Sequence, residues 1–337
     1  MGIQESLPDV VEPIIDPGIP VLRAIFDTAE LRAYLESVVP PEWRPLQDVK
    51  IQVLKHHLGS RCTFSIALGT ASGPRELIGK VYAEDRSDIH VAMQRIAGAG
   101  FGPVAPYSIP EPVVLAPALG LLLQEKIRGP RAKEVFLTGS VRDGAVTAER
   151  CALWLARFHT TPLHLGPVFD RKALLKAMRK WSLRIEGPAG KARRLLERLE
   201  SNLSGLAGTG MCAAHGSYSS SHVILAGSRT VTVDWDRYRV ADPGVDVARF
   251  VVALRYLALA HLGSIRALDA AAEVFEKTYI ATGCPEVRSN LAFHKAATYL
   301  QLAKCRMRNR AFHTLKLERA GAGAMLDEGL RISEDWE

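Results

Sequence analysis

The spacing of apolar residues divides the chain into two regions of different period. Between residues 49 and 129, apolar residues alternate with polar ones or form short runs, which is typical of half-buried strands. Five such segments occur in this order: VKIQVLKHH, TFSIALGT, ELIGKVYAE, PVVLAPALG and LLLQEKIRG. Polar turns, such as the one at 71–74, separate the first three segments. The pattern therefore predicts a five-stranded antiparallel sheet.

Helical spacing occurs on both sides of this region and once within it. Residues 27–38 begin with Asp27 as an N-cap, and residues 88–97 end at Gly98. After Gly129 the helical period dominates. Helices are predicted there at 147–161, at 172–203 with a break at Gly187-Pro188, and at 247–260, 267–282, 287–307 and 315–330. Thr147 and Glu149 resemble a capping box at the start of the first of these helices.

These patterns predict an α+β protein with two lobes. Residues 1–22 are rich in proline without a period and are expected to be a flexible arm. Residues 23–128 then form an N-terminal lobe of antiparallel strands with helices, and residues 129–337 form a helical C-terminal lobe. A chain of 337 residues is long for one core and agrees with this division.

One predicted β-hairpin interrupts the helices of the second lobe, within residues 214–248. Its strands are VIL and VTV, with the turn at Gly227-Ser228. His215-Gly216 precedes the hairpin and Asp234 ends it, and Asp246 leads into the next helix. A hairpin of this kind holds two polar loops side by side on a rigid support, so we expect it to build a site.

Composition and charge exclude several classes of protein. The chain contains no run of about 18 apolar residues, so no transmembrane helix is predicted. The first residues lack the pattern of a signal peptide. Five scattered cysteines without a C-x-x-C pair favour free thiols in the cytoplasm and no zinc site. The net charge of +7 fits either a surface that attracts an anionic ligand or an ordinary solvated basic surface. Aromatic and basic residues are not interleaved as in nucleic-acid-binding proteins, and the oligomeric state stays open.

Three motifs in this layout resemble the aminoglycoside phosphotransferase and choline-kinase-like group, which has a protein-kinase-like fold. The group carries H-G-D-x-x-x-x-N, a hairpin with I-D-[FW]-[DE], and D-P-x-x-D-[LV]-A. This chain has H-G-S at 215–217 with His222 at the asparagine position, V-D-W-D at 233–236 and D-P-G-V-D-V-A at 242–248. The resemblance covers about residues 45–330 in order and topology. It implies a bilobal fold, a small antiparallel β lobe and a large helical lobe.

The resemblance also implies a nucleotide site with magnesium. Asp234 is the candidate Mg²⁺ ligand, since Mg²⁺ prefers hard oxygen ligands. Lys80 matches the lysine that binds the α- and β-phosphates of ATP or GTP, although a solvent-facing lysine is the alternative. Asp88 and Gln94 are the candidate partners of Lys80. Two further segments are implied to contact nucleotide: the phosphate-covering loop Gly59-Ser60-Arg61 and the adenine-binding crossing that includes Gln124, Glu125 and Ile127.

The chain departs from the group at two catalytic positions. Ser217 replaces the catalytic aspartate, and His222 replaces the second metal-binding amide with the spacing preserved. Serine cannot act as a carboxylate base, and loss of a positioned base costs about 10²–10⁴-fold in rate. His222 or Asp236 is a candidate to orient the acceptor instead, and His215 is expected to hold the shape of the loop.

Three hypotheses remain open from the sequence. The first is an active cytoplasmic kinase that phosphorylates a hydroxyl group of a small molecule. The second is a pseudokinase that binds a nucleotide or another ligand without transfer, and the third is a scaffold without a nucleotide. Retention of Lys80 and Asp234 argues against the scaffold. The sequence does not identify the acceptor. A run of basic residues fits either an anionic acceptor or a solvated helix face: Lys304, Arg306, Arg308 and Arg310.

Overall fold

The structure is a computed structural model, and it describes residues 15–185, 187–306, 315–334 and 336. The described residues up to Arg128 form one compact unit, and those from Gly129 onward form a second. Residues 1–14 of the expected arm lie outside the described part, as do Arg308 and Arg310.

The first unit contains a five-stranded sheet. The strands of this unit are β1 Val49–His57, β2 Arg61–Leu68, β3 Arg75–Tyr82, β4 Tyr107–Ser108, β5 Pro112–Ala116 and β6 Leu121–Glu125. The sheet has the order β1-β2-β3-β6-β5 with antiparallel neighbours throughout. The predicted antiparallel sheet is confirmed, but its last strand ends at Glu125 and does not continue to Gly129.

Two helices cover one face of this sheet, α1 Leu22–Phe26 and α2 Thr28–Val38. The predicted N-cap is confirmed, because the Asp27 carboxylate accepts from the amides of Ala29 and Glu30 at 3.1 and 3.0 Å. Leu77 and Val81 of β3 belong to the core beneath these helices. Since side chains alternate along a strand, Lys80 points to the opposite face.

A third helix of the first unit, α3 Ser87–Ile96, follows β3 and confirms the helix predicted at 88–97. The chain leaves this helix through a turn at Ala97–Phe101, where Gly100 has a φ of +97°. Glycine suits this position because a φ in that range is costly for residues with a Cβ.

Helices dominate the second unit. They are α4 Ala132–Thr138, α5 Val141–Thr160, α6 Arg171–Ser182, α7 Ala189–Asn202, α8 Gly244–His261, α9 Asp269–Thr282, α10 Arg288–Arg306 and α11 Leu315–Glu334. A buried apolar core is built from α6, α7, α8, α10 and α11. None of the helices in the described residues is long and apolar enough to span a membrane.

One helix start was predicted at the wrong place. Helix α5 begins at Val141, where the hydroxyl of Ser140 accepts from the Asp143 amide at 3.2 Å and the Asp143 carboxylate accepts from the Ser140 amide at 3.0 Å. Thr147 lies inside the helix and is buried. The capping box predicted at Thr147 is therefore wrong, because an apolar stripe shows the face of a helix but not its first turn. Helix α4 was not predicted, since seven residues are too few to show a period.

Two antiparallel strand pairs lie between α7 and α8. Strand β7 Cys212–Ala214 pairs with β10 Arg239–Ala241, and β8 Val223–Ala226 pairs with β9 Arg229–Thr232. The second pair confirms the predicted hairpin, and Gly227 occupies its turn with a φ of +61°. The first pair was not predicted. It places Ala214 opposite Arg239, so the loop before the hairpin and the loop after it lie next to each other.

Candidate functional site

Asp246, at the start of α8, organises the loop that begins with His215. Its side chain is fully buried. One carboxylate oxygen accepts from the His215 amide at 2.6 Å and the other from the Gly216 amide at 2.9 Å. Two amide donors on one carboxylate fix the direction of the chain as it leaves β7. Asp246 therefore has a structural role in this loop.

Helix α5 contributes a histidine to the same carboxylate. His159 Nε2 lies 3.5 Å from Asp246 Oδ2, and its Nδ1 lies 2.7 Å from the Tyr279 hydroxyl on α9. Burial alone raises the pKa of Asp246, but His159 and His215 more than offset this effect and hold that pKa below its usual value. Asp246 therefore stays ionised beneath the loop.

Position 216 requires glycine, because both its backbone conformation and the space around it exclude a Cβ. Its φ is +74°, and a Cβ built there would lie 2.1 Å from the Arg237 carbonyl oxygen and 2.6 Å from Arg239 Nε. The second loop of the hairpin unit, near Arg237, thus lies directly against the first.

Ser217 and His215 form a hydrogen-bonded pair. The Ser217 Oγ lies 3.2 Å from His215 Nδ1, and His215 Nε2 lies 3.0 Å from the Val233 carbonyl oxygen. A carbonyl can only accept, so Nε2 carries a proton, and when the ring is neutral Nδ1 accepts the serine proton. The ring is buried and packs on Trp235 at 4.8 Å between centroids. The serine that replaces the aspartate is therefore held by an oriented imidazole.

His222 and Asp234 form a second pair next to the first. His222 Nδ1 lies 2.9 Å from the Ser217 carbonyl oxygen, so Nδ1 carries the proton and the Nε2 lone pair is directed elsewhere. This Nε2 lies 3.5 Å from Asp234 Oδ2. Burial and the neighbouring His215 lower the pKa of His222 to about 4, which leaves its ring neutral at pH 7. A nitrogen lone pair and a carboxylate oxygen thus face each other, as ligands of one cation do.

Asp234 reaches this position through an unusual backbone conformation. Its φ of +71° is the one positive value at a residue other than glycine in the described residues. Left-handed conformations at such residues are costly and concentrate at functional sites, and aspartate tolerates them better than most. Trp235 after it is buried, and Asp236 follows at a half-buried turn position.

A divalent cation fits this donor set. The described residues contain no group of three or more His, Cys, Asp or Glu side chains that could hold a metal. The protein would therefore supply two ligands, Asp234 and His222, and leave the other positions to phosphate oxygens and water, as magnesium sites commonly do. The imidazole nitrogen also suits Mn²⁺, which accepts mixed nitrogen and oxygen ligands more readily than Mg²⁺.

In the first unit, Lys80 occupies the face of the sheet away from the α1–α2 core. It is 6% exposed, and Thr63 and Leu122 lie beside it on the neighbouring strands. The alternative that Lys80 points to solvent is therefore wrong, while phosphate binding by Lys80 stays a prediction. Neither expected partner is buried: Asp88 accepts from Arg86 at 2.9 Å on the surface, and Gln94 is exposed. The buried polar side chain on α3 is His90.

The loop Gly59-Ser60-Arg61 connects β1 to β2 and has a partner that the sequence did not reveal. The Gly59 amide donates to Asp16 Oδ2 at 2.8 Å, and His56 Nε2 lies 2.8 Å from the same oxygen. The Gly59 amide lowers the pKa of Asp16, so this carboxylate is ionised. A phosphate at this loop remains a prediction, and it would have to displace Asp16 from Gly59.

The segment expected to read the adenine edge begins within β6. Gln124 is buried in this strand opposite Ile78, and the Glu125 amide donates to the Glu111 carbonyl oxygen at 2.9 Å. Ile127 follows the strand end. The adenine contact of this segment stays a prediction.

A pocket of about 210 Å³ in the second unit lies beside the loop that begins with His215. Gly216 contributes to its wall, so the pocket reaches the residue before Ser217. Sequence reasoning missed three other lining residues, Arg237, Arg239 and Arg249. The one available signal was their position within and just after the hairpin unit, and it did not show that they meet.

Comparison with known proteins identifies the family and the fold. A family model described as the phosphotransferase enzyme family matches residues 73–286, which is more than half of the chain. No curated protein sequence matches the chain.

Several solved structures share the fold at low sequence identity. A choline/ethanolamine kinase family protein from Mesorhizobium loti aligns with a TM-score of 0.60 at 17% identity, over 91% of this chain and 94% of that one. A thermostable mutant of the aminoglycoside phosphotransferase APH(4)-Ia aligns with a TM-score of 0.60 at 13% identity, over 88% and 99%. The amicoumacin kinase hAmiN, solved with AMP-PNP, Ca²⁺ and Ami, aligns with a TM-score of 0.59 at 10% identity, over 93% and 95%. The resemblance and the bilobal α+β fold expected from the sequence are confirmed.

Proposed function

The chain belongs to the phosphotransferase enzyme family, and from this premise we propose that it transfers the γ-phosphoryl group of ATP or GTP to a hydroxyl group of a small molecule. One observation carries the proposal. The pair His222–Asp234 presents two metal-ligand atoms 3.5 Å apart, directly beside the pair Ser217–His215. Phosphoryl transfer needs metal ligands and a group that orients the acceptor hydroxyl, and these two pairs would supply both.

Asp234 and His222 would hold the divalent cation, Mg²⁺ or Mn²⁺. When bound, the cation neutralises charge on the phosphate oxygens of the nucleotide. The positive φ of Asp234 aims its carboxylate at His222, and the Ser217 carbonyl fixes the ring of His222. In the first unit, the buried ammonium group of Lys80 is proposed to bind the phosphates, with Gly59-Ser60-Arg61 covering them and the segment with Gln124, Glu125 and Ile127 binding the base.

The proton of the acceptor hydroxyl would leave through Ser217 and His215. The Ser217 Oγ accepts this proton as it passes its own proton to His215 Nδ1, and the Val233 carbonyl stabilises the imidazolium through Nε2. The acceptor oxygen then bonds to the γ-phosphorus as the bond to the nucleoside diphosphate breaks, and His215 later releases its proton to solvent. Asp236 is the alternative group to orient the acceptor.

The test is titration of the protein with ATP and GTP, with and without Mg²⁺ and Mn²⁺, followed by calorimetry and by nucleoside diphosphate release. Metal-dependent binding is expected to fall with Asp234→Asn and with Lys80→Ala. Lys50→Ala changes an exposed lysine of the same sheet and is expected to leave binding intact. Absence of nucleotide binding by the wild type would overturn the proposal, and binding that survives both substitutions would overturn the site.

A second candidate function follows from Ser217 itself. A hydroxyl at the position of the catalytic carboxylate also fits a nucleotide-binding regulator that has lost transfer. This candidate predicts tight nucleotide binding, no turnover, and turnover that appears with Ser217→Asp. Active transfer predicts turnover in the wild type that His222→Ala removes.

A further inference from the structure

The pocket beside Gly216 has a basic character. It is lined by the guanidinium-bearing residues Arg237, Arg239 and Arg249 and by His294. No aspartate or glutamate is among the lining residues that the structure describes. Basic side chains thus dominate the charged part of the described lining.

Two of the arginines repel each other across the pocket wall. Burial lowers the pKa of Arg239, and the charge of Arg237 lowers it further, although the charge of Asp246 opposes both. Asp246 does not line the pocket, and its two oxygens already accept from the amides of His215 and Gly216. Placing two guanidinium groups together costs free energy unless an anion lies between or beside them.

Arg239 keeps hydrogen-bond donors that the described residues do not use. Its Nε donates to the Arg237 carbonyl oxygen at 3.1 Å, and its guanidinium lies 4.4 Å over the ring of Phe169. The ring contact and the Nε hydrogen bond hold the group in place, and the remaining N–H groups form no hydrogen bond with the described residues. A planar guanidinium that is fixed in this way binds carboxylate or phosphate oxygens through two parallel bonds.

Helix α8 places the third arginine at the same pocket. Arg249 Nη1 donates to Gln301 Oε1 at 3.0 Å, and both residues line the pocket. Phe169 and Trp181 also line the pocket and supply flat apolar surface.

We propose that this pocket binds the acceptor and that the acceptor is an anion, a hydroxylated carboxylate or phosphate held by Arg237, Arg239 and Arg249. The proposal rests on the phosphotransferase function proposed above and names its substrate class. The anionic group lies on the arginines, the carbon skeleton lies on Phe169 and Trp181, and the hydroxyl reaches Ser217 past Gly216. Cationic amino alcohols are excluded by the same charge.

Binding to the protein without nucleotide tests this proposal directly. The probes are gluconate as a hydroxylated carboxylate, glycerol 3-phosphate as a hydroxylated phosphate, glycerol as a neutral compound and ethanolamine as a cation. Thermal shift and calorimetry are expected to detect gluconate or glycerol 3-phosphate and neither of the other two. The comparison of the first two probes identifies the anionic group, and binding should weaken as salt is raised.

Substitution of the pocket arginines tests whether they bind the anion. Arg239→Gln and Arg237→Gln are expected to weaken binding of the anion by roughly tenfold each, the loss typical of a charged hydrogen bond. Arg237 is exposed, so its substitution should not disturb folding if the packed Arg239 variant does. Arg193→Gln removes the same charge from an exposed position on α7 that does not line the pocket, and it should leave anion binding unchanged.

The outcomes separate the two proposals. Anion binding that the arginine substitutions abolish supports this inference even if no nucleotide binds, and that result would overturn only the proposed transfer. Nucleotide binding without anion binding would overturn the inference and leave the transfer standing. Binding of ethanolamine in preference to both anions, or anion binding unaffected by Arg237→Gln and Arg239→Gln, also overturns it.

Discussion

Replacing Asp246 with asparagine removes the charge that two backbone amides share. The asparagine oxygen can still accept from one of the amides of His215 and Gly216, but its NH₂ group then faces the other. A hydrogen bond to a charged group contributes about 1.5–3 kcal/mol, and a buried donor left unpaired costs about 1–3 kcal/mol. Because the two penalties overlap in part, we expect Asp246→Asn to destabilise the second unit by about 4 kcal/mol.

Thermal and urea unfolding measure this loss. For a domain of roughly 200 residues, 1 kcal/mol corresponds to about 2–4 °C, so the Tm of the second unit should fall by roughly 10 °C. Tryptophan fluorescence is a suitable signal, since Trp235 packs against His215 in the affected loop. Metal-dependent nucleotide binding should also weaken, because it depends on the loop that Asp246 stabilises.

The matched control is Asp170→Asn. The Asp170 carboxylate caps α6 by accepting one amide, that of Ala173, at 2.8 Å at the surface. Asparagine caps a helix about as well as aspartate, so this variant should stay within about 0.5 kcal/mol of the wild type. If Asp246→Asn destabilises the protein no more than Asp170→Asn does, the carboxylate does not organise the loop.

Three further predictions concern single residues. Gly216→Ala should cost at least about 2 kcal/mol through its positive φ and its clash with a carbonyl oxygen, whereas Gly190→Ala, with open space around it, should not destabilise; equal urea midpoints would contradict this. His222→Asn should shift metal preference from Mn²⁺ toward Mg²⁺ by roughly tenfold in calorimetry, and unchanged selectivity would remove His222 from the metal site. Burial lowers the pKa of His90 below 6.5, so the unfolded state binds more protons and stability is lost as pH falls below 6.5. His90→Leu should reduce this loss in unfolding measured at several pH values, and the exposed His164→Leu should not.

The sequence predicted the fold well where a period extended over many residues. The alternation from Val49 to Glu125 fixed the sheet, and the stripes of α5 to α11 fixed the helices of the second unit. The shortest elements were not predicted: α4 has seven residues, and β7 and β10 have three each. A segment of that length shows no period, and it becomes regular because a neighbour supplies hydrogen bonds.

The sequence likewise identified some residues of the site and not others. The predicted hairpin pointed to His215 and Asp234, and the resemblance to the family motif added Ser217 and His222. Asp16 was not identifiable, since it precedes its partner Gly59 by 43 residues. The arginines of the pocket were equally hidden, because β10 and α8 bring them together only after folding.

The sequence alone determined the α+β class, the hairpin unit and the replacement of an aspartate by Ser217. The first two follow from local periodicity, and the third follows from the resemblance of residues 215–222 to the motif of the family; none of them needs a spatial neighbour. Only the tertiary structure decided that His215 orients Ser217, that His222 turns its lone pair toward Asp234, and that Arg237 and Arg239 share a pocket without a carboxylate among its described lining. Those properties depend on which atoms meet, and residues distant in the chain meet only when the strands pair and the helices pack.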